Sequence, residues 1–483
     1  MKSFFRSKKF LSLIFIVYLI ITGVMASRHI PWRDESQSWL LARDLSATQL
    51  LSQAHFEGCP PLWHLILHPF AALGAPFEVQ QVLVYLIMAT AIFLLLFKSP
   101  LPLYAKILAP FSFYFIFQYP VVSRHYALMT LCLFFVALFY QQRFKRPILY
   151  ALLVSLLTWS GVQTALVGSL LALLFLIEII KKYRSLKKIP SKHYLAISLM
   201  GLASLAVFLM LYPRSDGQMH GSLIYLGWNR ALEAFIRGLF AFFNDFSALL
   251  RVYLGLSFSL LVSMLIALRN NTSRLVLLLS FAWLSFIFTF KLTGLNYHYG
   301  MFFVFFLFSW WLGRDGQPAN PRLAKVASFI IGFAFLTSAI YGAYSLCLNY
   351  RYPYSNSRLV ANYIKENNLS DKPIISFADH FASALLPYLP GKDIFLSSSN
   401  KNVTFITWDR DWLLSHSTSV KTKKKNALNY ATKLNPVPDS VLVVTNFKLT
   451  DPDFTLLIQN EGRVVTDENI RLYELKIPSP LSE

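Results

Sequence analysis

Charge is what this sequence has least of. Only 14% of its 483 residues are Asp, Glu, Lys or Arg, roughly half the share found in soluble domains. That excludes the three or so soluble domains that the length alone would allow. Cysteine is almost as scarce. Cys59, Cys132 and Cys347 are odd in number and far apart, so neither a disulfide framework nor a CxxC pair is available. The sequence has no glycine-rich phosphate loop, no internal repeat and no low-complexity tract. Lys and Arg outnumber Asp and Glu by 45 to 24. They form no basic stripe interleaved with stacking aromatics, so nucleic acid is not an expected partner.

Long apolar runs are abundant. They recur from residue 10 to about 347, many near the roughly 20 residues that cross a bilayer, and carry much of the 43 Phe and ten Trp. The spacing predicts eleven spans, at 10–26, 79–97, 102–119, 124–141, 147–161, 163–180, 193–212, 250–268, 274–290, 298–313 and 323–346. The first is read as retained rather than cleaved, because Arg28 and His29 replace a small-residue cleavage site. With the N-terminus inside, cytoplasmic segments hold 19 Lys and Arg and the outer loops eight, as the positive-inside rule requires. Pro61–Leu73 is too short to span, and Asn229–Leu249 is interrupted by Glu233, Arg237, Asn244 and Asp245. Both are expected to lie along the outer interface as amphipathic helices.

After residue 350 the composition changes. Ile374–Phe377, Val403–Trp408 and Val441–Thr445 read as strands, and Leu359–Asn367 and Trp412–Leu434 as helices. The expected architecture is an α-helical polytopic membrane protein over 1–349 with a small extracytoplasmic α/β domain over 350–483. Lys421–Lys425, with four lysines in five positions, reads as a solvated loop, with contact to anionic lipid as the alternative.

This topology gathers Asp34, Glu35, Asp44, His55, Glu57, Arg124, His125, Lys291, Tyr297 and His298 on the outer side. Ionisable groups at membrane depth face a cavity or each other, so the gathering marks a reaction or binding site. Trp32-Arg33-Asp34-Glu35, in an outer loop over 27–78, is its strongest element. Adjacent carboxylates supply a base and a positioning group, or merely cap the helix over Ser36–Arg43. Three rival signals accompany it. His55, Cys59, His64 and His68 lie within fourteen residues but match no zinc spacing. Asp409-Arg410-Asp411 has the form of a metal-binding DxD. Asp216 and His220, in the outer loop after the seventh span, read as solvated, with contact to an acceptor as the alternative.

The order of motifs resembles a known family. Asp34-Glu35 leads through Leu41-Ala42-Arg43-Asp44 to Gly58-Cys59-Pro60-Pro61-Leu62-Trp63. Later come Ser123-Arg124-His125-Tyr126-Ala127-Leu128 and Asn296-Tyr297-His298-Tyr299-Gly300. This is similar to the GT-C glycosyltransferases related to protein O-mannosyltransferases and the lipid A aminoarabinose transferase, over roughly residues 10–350. Cys59 stands where the family carries His, and Asn296-Tyr297 where it carries a basic residue. The resemblance implies an inverting transfer of sugar from a polyprenyl-phosphate donor to a glycan, lipid or protein acceptor. The setting would be the inner cell membrane, with a cytoplasmic N-terminus and a periplasmic C-terminal domain. It also implies Asp34 and Glu35 as catalytic, Arg124, Lys291 and His298 as ligands of the donor phosphate, and Asp44, His125 and Tyr297 as substrate-binding. No cofactor is expected, and divalent metal stays open. The alternatives are a transporter or flippase, which would show paired repeats and midplane charges, and a glycan polymerase or ligase.

Overall fold

The computed structural model describes residues 8–212, 214–217, 227–240, 250–291, 294–313, 320–415, 417–459, 465 and 468–478. It is mostly helical, with a small C-terminal sheet. Helix α1 (Lys8–Arg28) leads into three short helices, α2 (Arg33–Asp44), α3 (Ala47–Glu57) and α4 (Leu62–Ala71). Helix α5 (Val79–Phe97) follows, then the short α6 (Leu103–Leu108). The next group is α7 (Tyr126–Phe139), α8 (Pro147–Ser160), α9 (Val162–Tyr183) and α10 (Ser191–Leu211). The last group is α11 (Gly227–Phe240), α12 (Leu250–Ala267), α13 (Asn271–Phe290), α14 (Asn296–Leu312) and α15 (Pro321–Arg351).

Six of these are long and apolar enough to cross a membrane: α1, α5, α9, α10, α13 and α15. Their outward faces are apolar too. Ile20, Leu202, Leu209 and Phe329 are more than half exposed, a surface that water would penalise and lipid would not. Shorter apolar helices run through Tyr126–Gln142, Pro147–Ser160 and Gly255–Ala267.

The expected span at 102–119 is not one helix. Helix α6 gives way to a 3₁₀ turn at Ala109–Phe111 and then a π-turn at Tyr114–Gln118, in which Tyr119 N donates to Tyr114 O. Pro110 lacks the donor that an α-helix needs, and Pro120 ends the segment. Helix α15 covers the break. Ser338 Oγ accepts from the Phe113 amide at 3.2 Å, and a Cβ at Gly342 would lie 2.9 Å from the Phe111 carbonyl, so only glycine allows this approach. Irregular backbone at depth is tolerated where protein buries it.

Residues 350–478 begin with α16 (Ser357–Glu366). They continue with β1 (Ile374–Ser376), α17 (Asp379–Ala382), β2 (Ile394–Leu396), β3 (Lys401–Val403), α18 (Arg410–Ser415) and α19 (Val420–Ala431). They end with β4 (Ser440–Thr445), β5 (Phe454–Gln459) and β6 (Arg471–Lys476). The strand order is β3-β2-β1-β4-β6-β5, with β1 parallel to β2 and β4 and the remaining pairs antiparallel. Val360, Ile364, Leu385 and Leu386 pack on one face; Ala427, Ala431, Phe454 and Tyr473 pack on the other. Leu40 of α2 joins the first of these clusters, so the sheet and the helices share buried surface.

Three expectations for this region need correction. Val403–Trp408 is not a strand: only Val403 belongs to one, because β3 is the short edge partner of β2. Trp412–Leu434 is two helices, α18 and α19, and Ser419 caps the second by accepting from the Thr422 amide. Lys421–Lys425 lies in α19 and is no free loop. Lys423 is buried with Nζ 2.7 Å from the Phe377 carbonyl, and Lys424 pairs with Asp451 at 2.6 Å and with Asp453. Pro61–Leu73 contains α4 as expected. Of Asn229–Leu249, residues 229–240 lie in α11 and the rest falls outside the described residues.

Candidate functional site

Four residues, 29–32, join α1 to α2, and Trp32 enters α2 from an extended conformation. Glu35, in the first turn of α2, accepts from the Trp32 amide at 3.1 Å, as N-terminal carboxylates do, and lies 2.9 Å from His29 Nε2. Its other oxygen accepts from the Ser123 amide at 2.6 Å. Glu35 is wholly buried. It ties the end of α1, the start of α2 and the loop before α7 into one knot, and it does not line the cavity described below.

Asp34 points the other way. Its Oδ2 is ion-paired with Arg124 Nη1, and its Oδ1 lies 3.9 Å from Arg33 Nε. Because Ser123 is pinned by Glu35, the neighbouring Arg124 is aimed at Asp34: adjacent residues on each segment carry the two contacts. Arg124 also lies over the rings of Tyr297 at 5.6 Å and Tyr126 at 5.9 Å, whose π faces favour a cation. Arg33, meanwhile, reaches Glu468 beyond the sheet at 2.9 Å. Burial pushes the Glu468 carboxyl up to about 7 despite that partner.

Asp34 and Arg124 line a cavity of about 710 Å³, a size typical of ligand sites. His125, Lys291, Tyr297 and His298 line it too, so six of the eight residues to which the resemblance gives roles converge, and His55 and Glu57 of the outer-side group join them. Glu35 stands behind the wall. Asp44, at the end of α2, is paired with its neighbour Arg43 at 2.6 Å and lies outside the cavity lining. Lys291 sits at the C-terminus of α13, where the helix dipole favours a cation. Among the described residues it has no carboxylate partner at ion-pair distance. His298 Nδ1 accepts from the Leu295 amide at 2.9 Å. The ring is therefore neutral, with its proton on Nε2.

The start of α14 is set by the irregular segment before α7. Tyr114 and Tyr119 donate to the carbonyls of Asn296 and Tyr297, at 3.2 and 3.1 Å. A Cβ at Gly300 would collide with both rings. Gly300→Ala should therefore push Tyr297 and His298 out of register. We expect a stability loss of about 1–3 kcal/mol and a larger loss of activity. A thermal-unfolding curve and a turnover assay on the same sample check this.

The opposite flank of the cavity is apolar, with Leu166, Val207, Phe208, Trp283, Phe286 and Ile287 from α9, α10 and α13. Cys59 and His64 also line it. Burial pushes the Cys59 thiol up to about 12 and the His64 imidazole down to about 4, so neither carries charge at neutral pH. Among the described residues no three His, Cys, Asp or Glu side chains converge as metal ligands. The series from His55 to His68 is spread accordingly: His68 Nδ1 lies 2.8 Å from the Ala42 carbonyl.

Two lining residues, Gln37 and Trp408, escaped the sequence reading, and a third, Glu57, was gathered with the outer-side group but given no role. Gln37 donates to the Ile406 carbonyl at 2.6 Å, accepts from the Ile406 amide at 3.0 Å and donates to Glu57 Oε1 at 3.1 Å. One buried amide thus docks the C-terminal region on α2 and orients a cavity carboxyl. Burial pushes Glu57 up to about 7. Its place one residue before Gly58-Cys59-Pro60 was the available signal. Asp409 and Asp411 do not form an open metal pair, since Lys401 reaches them at 3.6 and 3.0 Å. Asp216 lies 3.9 Å from His55, and His220 falls outside the described residues. No protein-family model, curated protein or solved structure matches this chain.

Proposed function

We propose that this protein is an inverting GT-C-type membrane glycosyltransferase that moves a sugar from a polyprenyl-phosphate donor to an extracytoplasmic glycan, lipid or protein acceptor. The observation that carries this reading is the cavity itself. A carboxylate–guanidinium pair and the Lys291 cation meet there beside apolar lining that suits an isoprenoid chain. Charge develops on the phosphate as the glycosidic bond breaks, and fixed cations facing that charge stabilise the transition state. Arg124 and Lys291 supply them, His298 Nε2–H adds a neutral donor, and His125 and Tyr297 shape the sugar site. Asp34 faces the reacting centre, and Glu35 holds the backbone that positions Asp34 and Arg124.

The topology in this reading has eleven crossings, counting the broken 102–119 segment. It places the N-terminus in the cytoplasm of a cell whose inner membrane carries the protein, and the sheet outside. Lysine- and arginine-rich segments then fall on the inner side, which supports that orientation.

The test uses purified protein in sealed proteoliposomes loaded with a panel of polyprenyl-phosphate sugars. A transferase liberates polyprenyl phosphate and labels an added glycolipid acceptor. Movement of intact donor between leaflets with no liberation of polyprenyl phosphate would replace this reading with that of a flippase.

A further inference from the structure

The cavity holds two carboxylates in opposite circumstances. Asp34 has Arg124 on one oxygen and Arg33 at 3.9 Å from the other. The ion pair with Arg124 commits one oxygen of Asp34 to holding that guanidinium rather than meeting an acceptor hydroxyl. Among the described residues Glu57 has no cation at ion-pair distance, and its hydrogen bonds come from neutral amides. Gln37 Nε2 and Gln53 Nε2 reach its Oε1 at 3.1 and 3.5 Å, and the residue lines the cavity. Its position is held from both sides. Helix α3 ends there because Gly58 takes a left-handed conformation at φ 62°, and Gln37 is itself anchored to both backbone groups of Ile406.

Resting on the transferase reading, we propose that Glu57 is the general base that takes the acceptor proton, while Asp34 orients Arg124. As the acceptor oxygen bonds to the anomeric carbon, its proton passes to the Glu57 carboxylate. The bond from that carbon to the phosphate oxygen breaks on the opposite face, and the electron pair leaves with polyprenyl phosphate. Two carboxylates thus divide the work: one accepts a proton and the other sets the cation that receives the leaving group.

The surroundings of Glu57 fit this role. A base works best with its pKa near the operating pH, and burial holds this carboxyl at about 7. The Arg124 charge lowers it and the Asp34 charge raises it. His55 on the same helix is held down by burial, and Cys59 and His64 beyond the Gly58 turn titrate far from neutrality. Arg214 and Lys291 are the remaining lysine and arginine side chains lining the cavity, and the rings of His125, Tyr297 and His298 line it too.

The experiment is the pH profile of sugar transfer by full-length protein in nanodiscs, with liberated polyprenyl phosphate measured alongside. Wild-type turnover should rise with pH through about 7 and then level off. Glu57→Gln keeps the acceptor for Gln37, so it should fold. Its turnover should fall roughly 10²- to 10⁴-fold, with the acidic limb abolished and the KM for donor unchanged. Asp34→Asn should keep an acidic limb despite its lower rate, displaced to lower pH by the unopposed Arg124. Should Glu57→Gln not fold, Glu57→Asp decides: a reduced rate with a displaced limb supports the proposal. A wild-type limb persisting in Glu57→Gln, or unchanged in Glu57→Asp, overturns the base assignment while leaving the transferase standing. No liberation of polyprenyl phosphate by wild type at any pH overturns the function and this proposal with it.

Discussion

Asp34→Asn should reduce sugar transfer by about 100- to 1000-fold, the range found when one fixed electrostatic contact to a developing charge is lost. The substitution keeps shape and removes charge. Among the described residues the mostly buried Arg124 then has no carboxylate at ion-pair distance, and a buried uncompensated charge is costly. It will turn toward any other anion it can reach. Donor phosphate is the available one, so the KM for donor should hold or fall while turnover drops. That pattern separates loss of transition-state alignment from loss of binding. Steady-state kinetics over a range of donor concentrations checks it.

The second large effect is on stability and concerns the other half of the acidic pair. Glu35→Ala should destabilise the fold by on the order of 3–5 kcal/mol, the cost of breaking a buried charged contact and stranding its donors. The Trp32 and Ser123 amides both donate to Glu35 and are left buried without an acceptor. His29 loses its only close carboxylate contact among the described residues. The variant should therefore unfold at a much lower temperature in detergent, and its activity should follow the folded fraction. If Glu35 instead touched substrate, activity would vanish from a protein of normal stability. Thermal unfolding monitored alongside turnover distinguishes the two.

Two adjacent carboxylates in one motif thus serve opposite ends, and the sequence shows why only half of this was legible. Their position just beyond the first apolar run marked them as a pair at one interface. Which of them faces the cavity depends on where the 119–125 loop crosses α2, a contact between residues about 90 apart in the chain. Ten of the eleven expected spans fall on helices, six of them long and apolar enough to cross a membrane, because apolar length is a local property. Hydropathy failed at 102–119, where Pro110 and Pro120 break a run of sufficient apolarity and α15 satisfies the freed backbone.

The sheet was less legible than the helices for a related reason. Three of its strands are three residues long, too short for a period-2 pattern to register. The longer β5 and β6 are defined by their pairing with each other and with β4. Gln37 and Trp408 were unreadable as site residues because each acquires its role across the junction between helices and sheet. Glu57 lay within reach of sequence reasoning, being acidic and next to a glycine-proline turn. What could not be read was that the amides of Gln37 and Gln53 would meet it.

The central claim is that the cavity beside the Asp34–Arg124 pair breaks the sugar–phosphate bond of a lipid-linked donor. The measurement that addresses it most directly is release of free polyprenyl phosphate by purified protein in nanodiscs, with membrane glycolipid as acceptor. Wild type and Asp34→Asn are run side by side. The account predicts release by wild type and near-complete loss in the variant. Equal release by both proteins, or release by neither from any donor in the panel, would contradict it.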